Sequence, residues 1–291
     1  MRRFSIRILL ATLVSVFVFG TASAEEIKIT TIESYPPSGD QVWFYSDMRG
    51  NGTASTVDLS GEGGNLEGAA PLPIGAALLT TGASNGDKAE IAVTDSWGTA
   101  GSLIGDVNFS TGYSYYKDSS GDLLNATAAP SIKLSFYNAA YDDVSGQDGF
   151  VTLVYEPYWN QVSNPGASVA PPTDTWTTVS IDANSGLFWN TGGFGQTSSA
   201  GGPPLLTLAD WLTTFDSAFA SAELSAVSMG IGTYNQGQTG YFDNVSITSS
   251  LASTTYNFEP VPEPSSIAML LGLGTFGLVG YRWRRKQQQA V

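Results

Sequence analysis

The feature that most constrains the fold is a repeated alternation of apolar and polar residues in short segments. In residues 131–137, SIKLSFY, the side chains of Ile132, Leu134 and Phe136 share one face and that of Lys133 lies on the other. A period of two is typical of half-buried strands. With turns rich in Gly, Asn and Ser between the segments, the pattern predicts roughly ten to twelve strands in a single antiparallel, all-β sandwich. The other segments are 27–31, 42–47, 89–93, 113–117, 150–156, 175–182, 226–233 and 240–247.

One segment after Pro203 and Pro204 departs from this alternation and predicts a short helix. Thr207, followed three positions later by Asp210, resembles a capping box. Apolar residues then recur at the spacing of one helical face. We expect this single helix to close one end of the sandwich. The residues of its apolar face are Leu208, Leu212, Phe215 and Phe219.

The charge of the chain limits its partners. Of the 12 Lys and Arg residues, seven lie outside residues 25–260; of the 26 Asp and Glu residues, only Glu263 does, which leaves five basic and 25 acidic residues in this part. Its net charge is therefore about −20, which repels nucleic acid and predicts no such partner. The chain has no Cys and no His, which excludes disulfides, a Ser-His-Asp triad and His-ligated zinc.

The N-terminal 24 residues predict a signal peptide. A basic start is followed by an apolar run over residues 8–19 and by a small-residue cleavage site before Glu25. We therefore expect the protein to be exported, with the β-sandwich domain over residues 25–256. The residues that carry the pattern are Arg2, Arg3 and Arg7 at the start and Ala22 and Ala24 at the cleavage site.

A second apolar segment, residues 265–283, lies near the C-terminus. It contains Gly272, Gly274 and Gly277, a formal match to a dinucleotide-binding loop. That motif requires a following helix and an acidic residue about 20 positions on, for which the remaining chain is too short. We predict instead a transmembrane helix and a basic cytoplasmic tail over 284–291. The residues expected to stop transfer are Arg282, Arg284, Arg285 and Lys286.

The segment before this span carries a short motif with two prolines, within a predicted linker over 257–264. With a signal peptide, an apolar span and an Arg cluster, the motif resembles the PEP-CTERM sorting signal of proteins exported by Gram-negative bacteria. The resemblance implies processing by an exosortase-type enzyme, an inner-membrane intermediate and a final place at the cell surface or outside it. It also implies a link to extracellular polysaccharide and biofilm. The motif residues are Val261, Pro262, Glu263 and Pro264.

Asp243 is the candidate metal ligand. It shares the parity of Val245 and Ile247, which predicts a core-facing carboxylate that requires donors or a cation. The string around it is similar to the closing strand of jelly-roll carbohydrate-binding modules, and this resemblance implies a structural Ca²⁺ with an acidic partner, for which Glu33 is the candidate. The alternative is that Asp243 accepts backbone N–H bonds at the sheet edge.

Two tryptophans are candidate ligand contacts. Trp159 lies in YEPYWN, residues 155–160, and Trp189 lies in GLFWNTGGFG, residues 186–195, both of which predict loops. Sugar rings stack on such exposed aromatic faces, whereas the alternative is that these rings cap the ends of the core.

These observations favour an exported, non-catalytic envelope or matrix protein that is structural or binds glycans, with extracellular polysaccharide as a partner. The rival class is a polysaccharide-active enzyme, because a glycoside hydrolase requires only two carboxyl groups about 5 to 9.5 Å apart. Two carboxylates that face each other in an aromatic cleft would favour that rival. Scattered carboxylates would favour a binding or coat protein.

Overall fold

The computed structural model describes residues 24–142 and 149–260, and this part of the chain folds into two packed β-sheets with short helices between them. The strands are β1 Ala24–Ile29, β2 Phe44–Tyr45, β3 Thr53–Asp58, β4 Gly75–Thr80, β5 Ala89–Thr94, β6 Ser110–Lys117, β7 Ser131–Tyr137, β8 Phe150–Tyr155, β9 Trp176–Asp182, β10 Phe188–Asn190, β11 Glu223–Ile231, β12 Thr239–Thr248 and β13 Ser253–Phe258.

The helices are short. They are α1 Gly64–Gly68, α2 Ala100–Ile104, α3 Asp122–Asn125, α4 Leu208–Thr214 and α5 Ser217–Ala220, with 3-10 turns at Ser119–Gly121, Ala139–Tyr141 and Pro157–Trp159. The prediction of a single helix is therefore wrong. Thr207 caps α4 as expected by accepting a hydrogen bond from the Asp210 N–H. Phe215 then takes an extended conformation that ends α4, and Asp216 caps α5.

The first sheet has seven strands arranged around β12. One edge of β12 pairs with β6, which in turn pairs with β9. The other edge pairs first with β4 and then with β13, and β3 and β1 lie outside those two strands. The ladders are antiparallel except that β1 runs parallel to β13, so the predicted antiparallel sandwich has one parallel pair.

The second sheet has six strands in the order β10-β8-β7-β11-β5-β2. The predicted alternation is confirmed in β7, where Ile132, Leu134 and Phe136 are buried in the core. Lys133 points to the outer face of the same strand, where it pairs in register with Ser228 and Val154. This outer face carries the cleft described below.

The core lies between the sheets and is rich in aromatic rings. Tyr113 of the first sheet meets Tyr155 of the second edge to face, with ring centroids 6.4 Å apart. Near the helical end, Phe219 of α5 packs on Phe136 at 4.9 Å. In α4, Leu208 is fully buried as expected, whereas Trp211 takes the fully buried place expected for Leu212. Helices α4 and α5 therefore close one end of the sandwich, as the sequence predicts.

The sandwich continues beyond its predicted end at residue 256. Strand β13 runs to Phe258, whose side chain is buried, and the Glu259 N–H donates to the Ile29 carbonyl. Two residues of the predicted linker thus belong to the sheet. At the other end, Ala24 is already paired with Ser253 in the β1–β13 ladder.

Candidate functional site

A cleft of about 610 Å³ lies on the outer face of the six-stranded sheet. Its floor is formed by outward-facing residues of the strands, and its walls come from the segments around residues 125–127, 158–168, 200–201 and 232–235. Aromatic and polar side chains share the lining. The aromatic residues are Tyr158, Trp159, Trp189 and Tyr234.

Trp159 and Trp189, which the sequence singled out separately, line this one cleft. Trp189 does not lie in a loop, because it belongs to β10. There its neighbours Phe188 and Asn190 are buried and its own ring is half-buried on the outer face. Trp159 ends the 3-10 turn Pro157–Trp159. Alternation along β10 therefore directs Trp189 into the cleft.

Two adjacent aromatic residues of the cleft, Tyr158 and Trp159, are held in place by hydrogen bonds to one carbonyl group. The Tyr158 hydroxyl and the Trp159 Nε1 both donate to the Gly201 oxygen, at 3.1 and 3.0 Å. Gly201 itself has a φ of 83°, a left-handed conformation that favours glycine. The two rings lie 4.7 Å apart. Their polar ends are thus satisfied by the protein, and their faces remain the part that a ligand meets.

Glu156 joins the aromatic wall to the floor. The Trp189 Nε1 donates to its carboxylate at 2.9 Å. Burial raises the pKa of Glu156 above its ordinary value, and the hydrogen bond from Trp189 and the charge of Lys133 only partly oppose this effect. Glu156 therefore holds less negative charge than an exposed glutamate would hold at mildly acidic pH.

The opposite half of the floor carries a chain of alternating charges, Arg49–Asp47–Lys88–Glu90–Lys133. Asp47 contacts Arg49 Nη2 and Lys88 Nζ at 2.6 Å each, and Lys88 Nζ lies 2.9 Å from Glu90. Lys133 Nζ also donates to Glu90. Burial alone would raise the pKa of Glu90, but Lys133 and Lys88 outweigh it and hold the pKa below its usual value.

Sequence reasoning missed this charged floor. The scarcity of basic residues could have indicated it, because three of the five basic residues in 25–260 line the cleft. Only Lys133 was placed on an outward face by its strand phase. Lys88, Glu90 and Lys133 come together because β5 pairs with β11 and β11 pairs with β7. These pairings are long-range contacts that local sequence patterns do not specify.

Asp243 is buried as predicted, but for a different reason. A bulge between Asp243 and Ser246, with Asn244 at a φ of 56°, shifts the strand phase. Phe242, not Asp243, shares the core face with Val245, and its ring lies 4.9 Å from Phe258. Asp243 Oδ1 accepts the Phe258 N–H at 2.9 Å, which is the alternative weighed for this residue.

Glu33, the expected calcium partner, is engaged elsewhere. Its carboxylate accepts the N–H and the hydroxyl of Ser38 at 2.8 and 3.0 Å. The carboxyl groups that act on Asp243 through their charge are Glu259 and Glu26. Within residues 24–142 and 149–260, no group of three or more Asp or Glu side chains has an arrangement that could hold a metal ion. Calcium at Asp243 stays a prediction.

In the same described ranges, no helix has the length and apolar character needed to cross a membrane. The predicted signal peptide, apart from Ala24, lies outside those ranges. So do the predicted transmembrane helix at 265–283, the motif Val261–Pro264 and the basic residues from Arg282 to Lys286.

The C-terminal segment matches the PEP-CTERM protein-sorting motif over residues 260–286. This confirms the resemblance seen in the sequence and implies an exported protein that is sorted at its C-terminus and processed at the membrane. No curated protein sequence matches the chain.

Several solved structures are distantly similar. A family 11 carbohydrate-binding module from Clostridium thermocellum is 12% identical, with a TM-score of 0.37 over 77% of this chain and 96% of that one. A β-1,2-glucanase from Parabacteroides distasonis is 16% identical, with a TM-score of 0.30 over 69% of this chain and 24% of that one. At TM-scores below 0.5, no ligand or activity is transferred from these proteins.

Proposed function

We propose that this exported protein is a non-catalytic glycan-binding module of the cell envelope or extracellular matrix. The observation that supports it is the cleft of about 610 Å³ on the six-stranded sheet. Small-ligand sites have volumes of about 300 to 1,000 Å³ and combine apolar walls with a few placed polar groups. Here Trp189, Trp159 and Tyr158 offer ring faces, while Asn235, held by a hydrogen bond from Asn125 to its Oδ1, contributes a polar side chain to the lining.

The chemistry of the lining favours binding over hydrolysis. Glycoside hydrolases place two carboxyl groups on either side of the scissile bond. Among the described residues that line the cleft, Glu156 carries the one carboxyl group. Glu90 is not among those lining residues, and its carboxylate is paired with both Lys88 and Lys133. A catalytic pair across the cleft would require Glu90 to leave both lysines.

The sorting motif supports the proposed setting. We infer that an exosortase-type enzyme processes the chain near Pro262–Pro264, in an inner-membrane intermediate of a Gram-negative cell, and that the sandwich then acts at the cell surface, where extracellular polysaccharide of a biofilm is the available glycan. The match over residues 260–286 is the basis of this inference.

A binding and hydrolysis screen over soluble polysaccharides tests the proposed function. We expect binding without release of reducing sugar. Trp189→Ala should weaken binding about tenfold or more, because a buried aromatic contact is worth at least ~1.4 kcal/mol. Trp176→Ala, on β9 of the other sheet, is the matched control and should bind as the unchanged protein does. Glycan hydrolysis, or equal loss of affinity in both variants, would contradict the proposal.

A further inference from the structure

The basic residues of the sandwich are concentrated in the cleft. Against a net charge of about −20 for residues 25–260, Arg49, Lys88 and Lys133 are three of only five basic residues there. Of the 25 acidic residues in the same part of the chain, Glu156 alone is among the described residues that line the cleft. The cleft therefore has the opposite charge preference to the surface around it.

The charge chain on the floor begins and ends with a cation. Its three cations share two carboxylates, Asp47 and Glu90. Arg49 binds Asp47 through Nε and Nη2, and its side chain is 56% exposed. At the other end, Lys133 Nζ donates to Glu90. These five residues thus carry one positive charge in excess. Glu156, whose charge interacts with Lys133, offsets this excess only to the extent that it is ionised, and its burial opposes that ionisation.

The position of Lys133 relative to Trp189 suits an extended ligand. Trp189 pairs with Val154, and Val154 pairs with Lys133, so the three lie in one cross-strand row. Two strand spacings separate Trp189 from Lys133 by about 10 Å. A glycan chain stacked on Trp189 and extended along this row therefore runs toward Lys133, whose ammonium group is turned to Glu90 on the far side of β7.

We propose that the cleft takes an acidic glycan, in which a sugar ring stacks on Trp189 and an anionic group of another sugar of the same chain pairs with Lys133, while Arg49 attracts the ligand from the other end of the charge chain. This inference rests on the proposed glycan-binding function. The shared chemistry is an anionic sugar substituent, either the carboxylate of a uronic acid or a sulfate ester. Both accept hydrogen bonds from ammonium and guanidinium groups.

The acidic surface does not prevent such binding at physiological ionic strength. The Debye length in 0.15 M salt is about 8 Å, so exposed carboxylates farther away than this are largely screened. Contacts inside the cleft are screened less. Glu156, the carboxyl group among the described residues that line the cleft, has a pKa raised by burial, which favours its neutral form and weakens its repulsion of an anion.

Matched polymers test the charge preference directly. Calorimetric titration of the purified full chain in 0.15 M salt should compare polygalacturonate and alginate with their carboxyl-reduced neutral forms and with those forms after sulfation. We expect at least one acidic polymer to bind about tenfold more tightly than its neutral form. Preference for the uronate or for the sulfated form identifies the anionic group.

Three substitutions assign the preference to this cleft. Lys133→Gln should remove most of the tenfold preference, measured as the ratio of the affinities for the acidic and the neutral form. Arg49→Gln, at a more exposed position, should also reduce the preference for the acidic polymer. It replaces Lys133→Gln as the test if that variant does not fold. Lys28→Gln removes the same charge from exposed β1 of the other sheet and should have no effect.

The outcomes separate this inference from the function on which it rests. Equal binding of the acidic and neutral polymers would overturn the charge preference and leave glycan binding intact. A preference that survives in both Lys133→Gln and Arg49→Gln would overturn the assignment to the cleft. Absence of binding to every polymer would overturn both proposals.

Discussion

At the scale of single residues, Asp243 is the most unusual group in the described part of the chain. Its side chain is fully buried, and its Oδ2 has no hydrogen-bond partner among the described residues. Burial raises its pKa to about 7, which the N–H groups of Phe258 and Asn244 oppose and the charges of Glu259 and Glu26 increase. The folded protein therefore keeps this carboxyl group protonated to higher pH than the unfolded chain does.

The sign of this shift predicts a stability that falls with pH. Below the unfolded pKa of about 3.9, both states hold the proton. Between about pH 4 and pH 7 the unfolded state ionises first, so the free energy of unfolding falls by up to about 4 kcal/mol. Asp243→Asn should lack this fall in the free energy of unfolding. Urea unfolding of both proteins in EDTA across this pH range checks it, through the difference between their free energies of unfolding. Parallel pH profiles would contradict the shift.

Calcium should oppose the loss of stability that follows from ionisation of Asp243. A cation that binds the ionised carboxylate stabilises only the folded state. At pH 7.5 the unchanged protein should melt several degrees higher in millimolar calcium than in chelator, and Asp243→Asn should lose that difference. Glu33→Gln should keep it, because Glu33 is bonded to Ser38. If the unchanged protein melts at the same temperature in calcium and in chelator, the prediction that calcium binds at Asp243 is wrong.

The residue scale also shows what sequence can predict of the site. Trp159 and Trp189 were found because aromatic residues beside Gly and Asn are recognisable locally. The sequence contained no indication that Gly201 fixes Trp159, or that Lys88 and Lys133 share Glu90. These contacts join segments far apart in the chain, and their register depends on the assembled sheet.

At the scale of elements, the bulge in β12 positions Asp243. It lies where the second edge of β12 changes its partner from β4 to β13. Gly75, at the start of β4, is so close to the end of β13 that a Cβ there would lie 2.1 Å from the Phe258 oxygen. The extra residue of the bulge turns Asp243 toward this junction, where its carboxylate accepts the Phe258 N–H.

Asn244 is the residue that the bulge requires to be left-handed, with a φ of 56°. Residues with a Cβ avoid this conformation, and Asn tolerates it better than Ala. We expect Asn244→Ala to lower the free energy of unfolding by about 1 kcal/mol, and Asn244→Gly to retain or raise it. Chemical denaturation of the three proteins checks the order. An Ala variant as stable as the Gly variant would show that the bulge is absent.

Element prediction succeeded where alternation was regular and failed where it was broken. Strand β7 has the predicted bounds, 131–137, because its two faces differ clearly in polarity. Strand β4, GAALLT, is apolar on both faces and has no period, so alternation does not reveal it. In β12 the parity argument failed at Asn244, since a single inserted residue exchanges the faces.

At the scale of the whole molecule, the cleft lies on one sheet and the strand that leads to the sorting motif lies in the other. The cleft lies on the outer face of the six-stranded sheet, whereas β13, which leads to the motif, belongs to the seven-stranded sheet. An uncut chain held in the membrane by its C-terminal segment would therefore have the proposed glycan cleft on the other sheet. Strand β13 lies between β1 and β12, so the pairing of β1 with the seven-stranded sheet depends on β13 remaining in place.

This arrangement limits where the chain can be cut. Phe258 and Glu259 are buried, and the Glu259 N–H is bonded to Ile29, so a processing enzyme cannot reach them without unfolding β13. The matched sorting motif begins at residue 260. We therefore predict that the mature C-terminus falls between Pro260 and Ser266, near Glu263, and that the released protein keeps all of β13.

Mass spectrometry of the surface-located protein checks this prediction. It should find peptides that end between Pro260 and Ser266 and none from Ile267 onward. Replacing Pro262, Glu263 and Pro264 with Ala should trap the uncut chain in the inner membrane, because the apolar span and the basic residues after it would remain attached. Replacing Ser249, Ser250 and Leu251, in the exposed turn between β12 and β13, with Ala is the control and should leave processing unchanged. Recovery of surface protein with an intact Val291 would show that the tail serves only as an anchor.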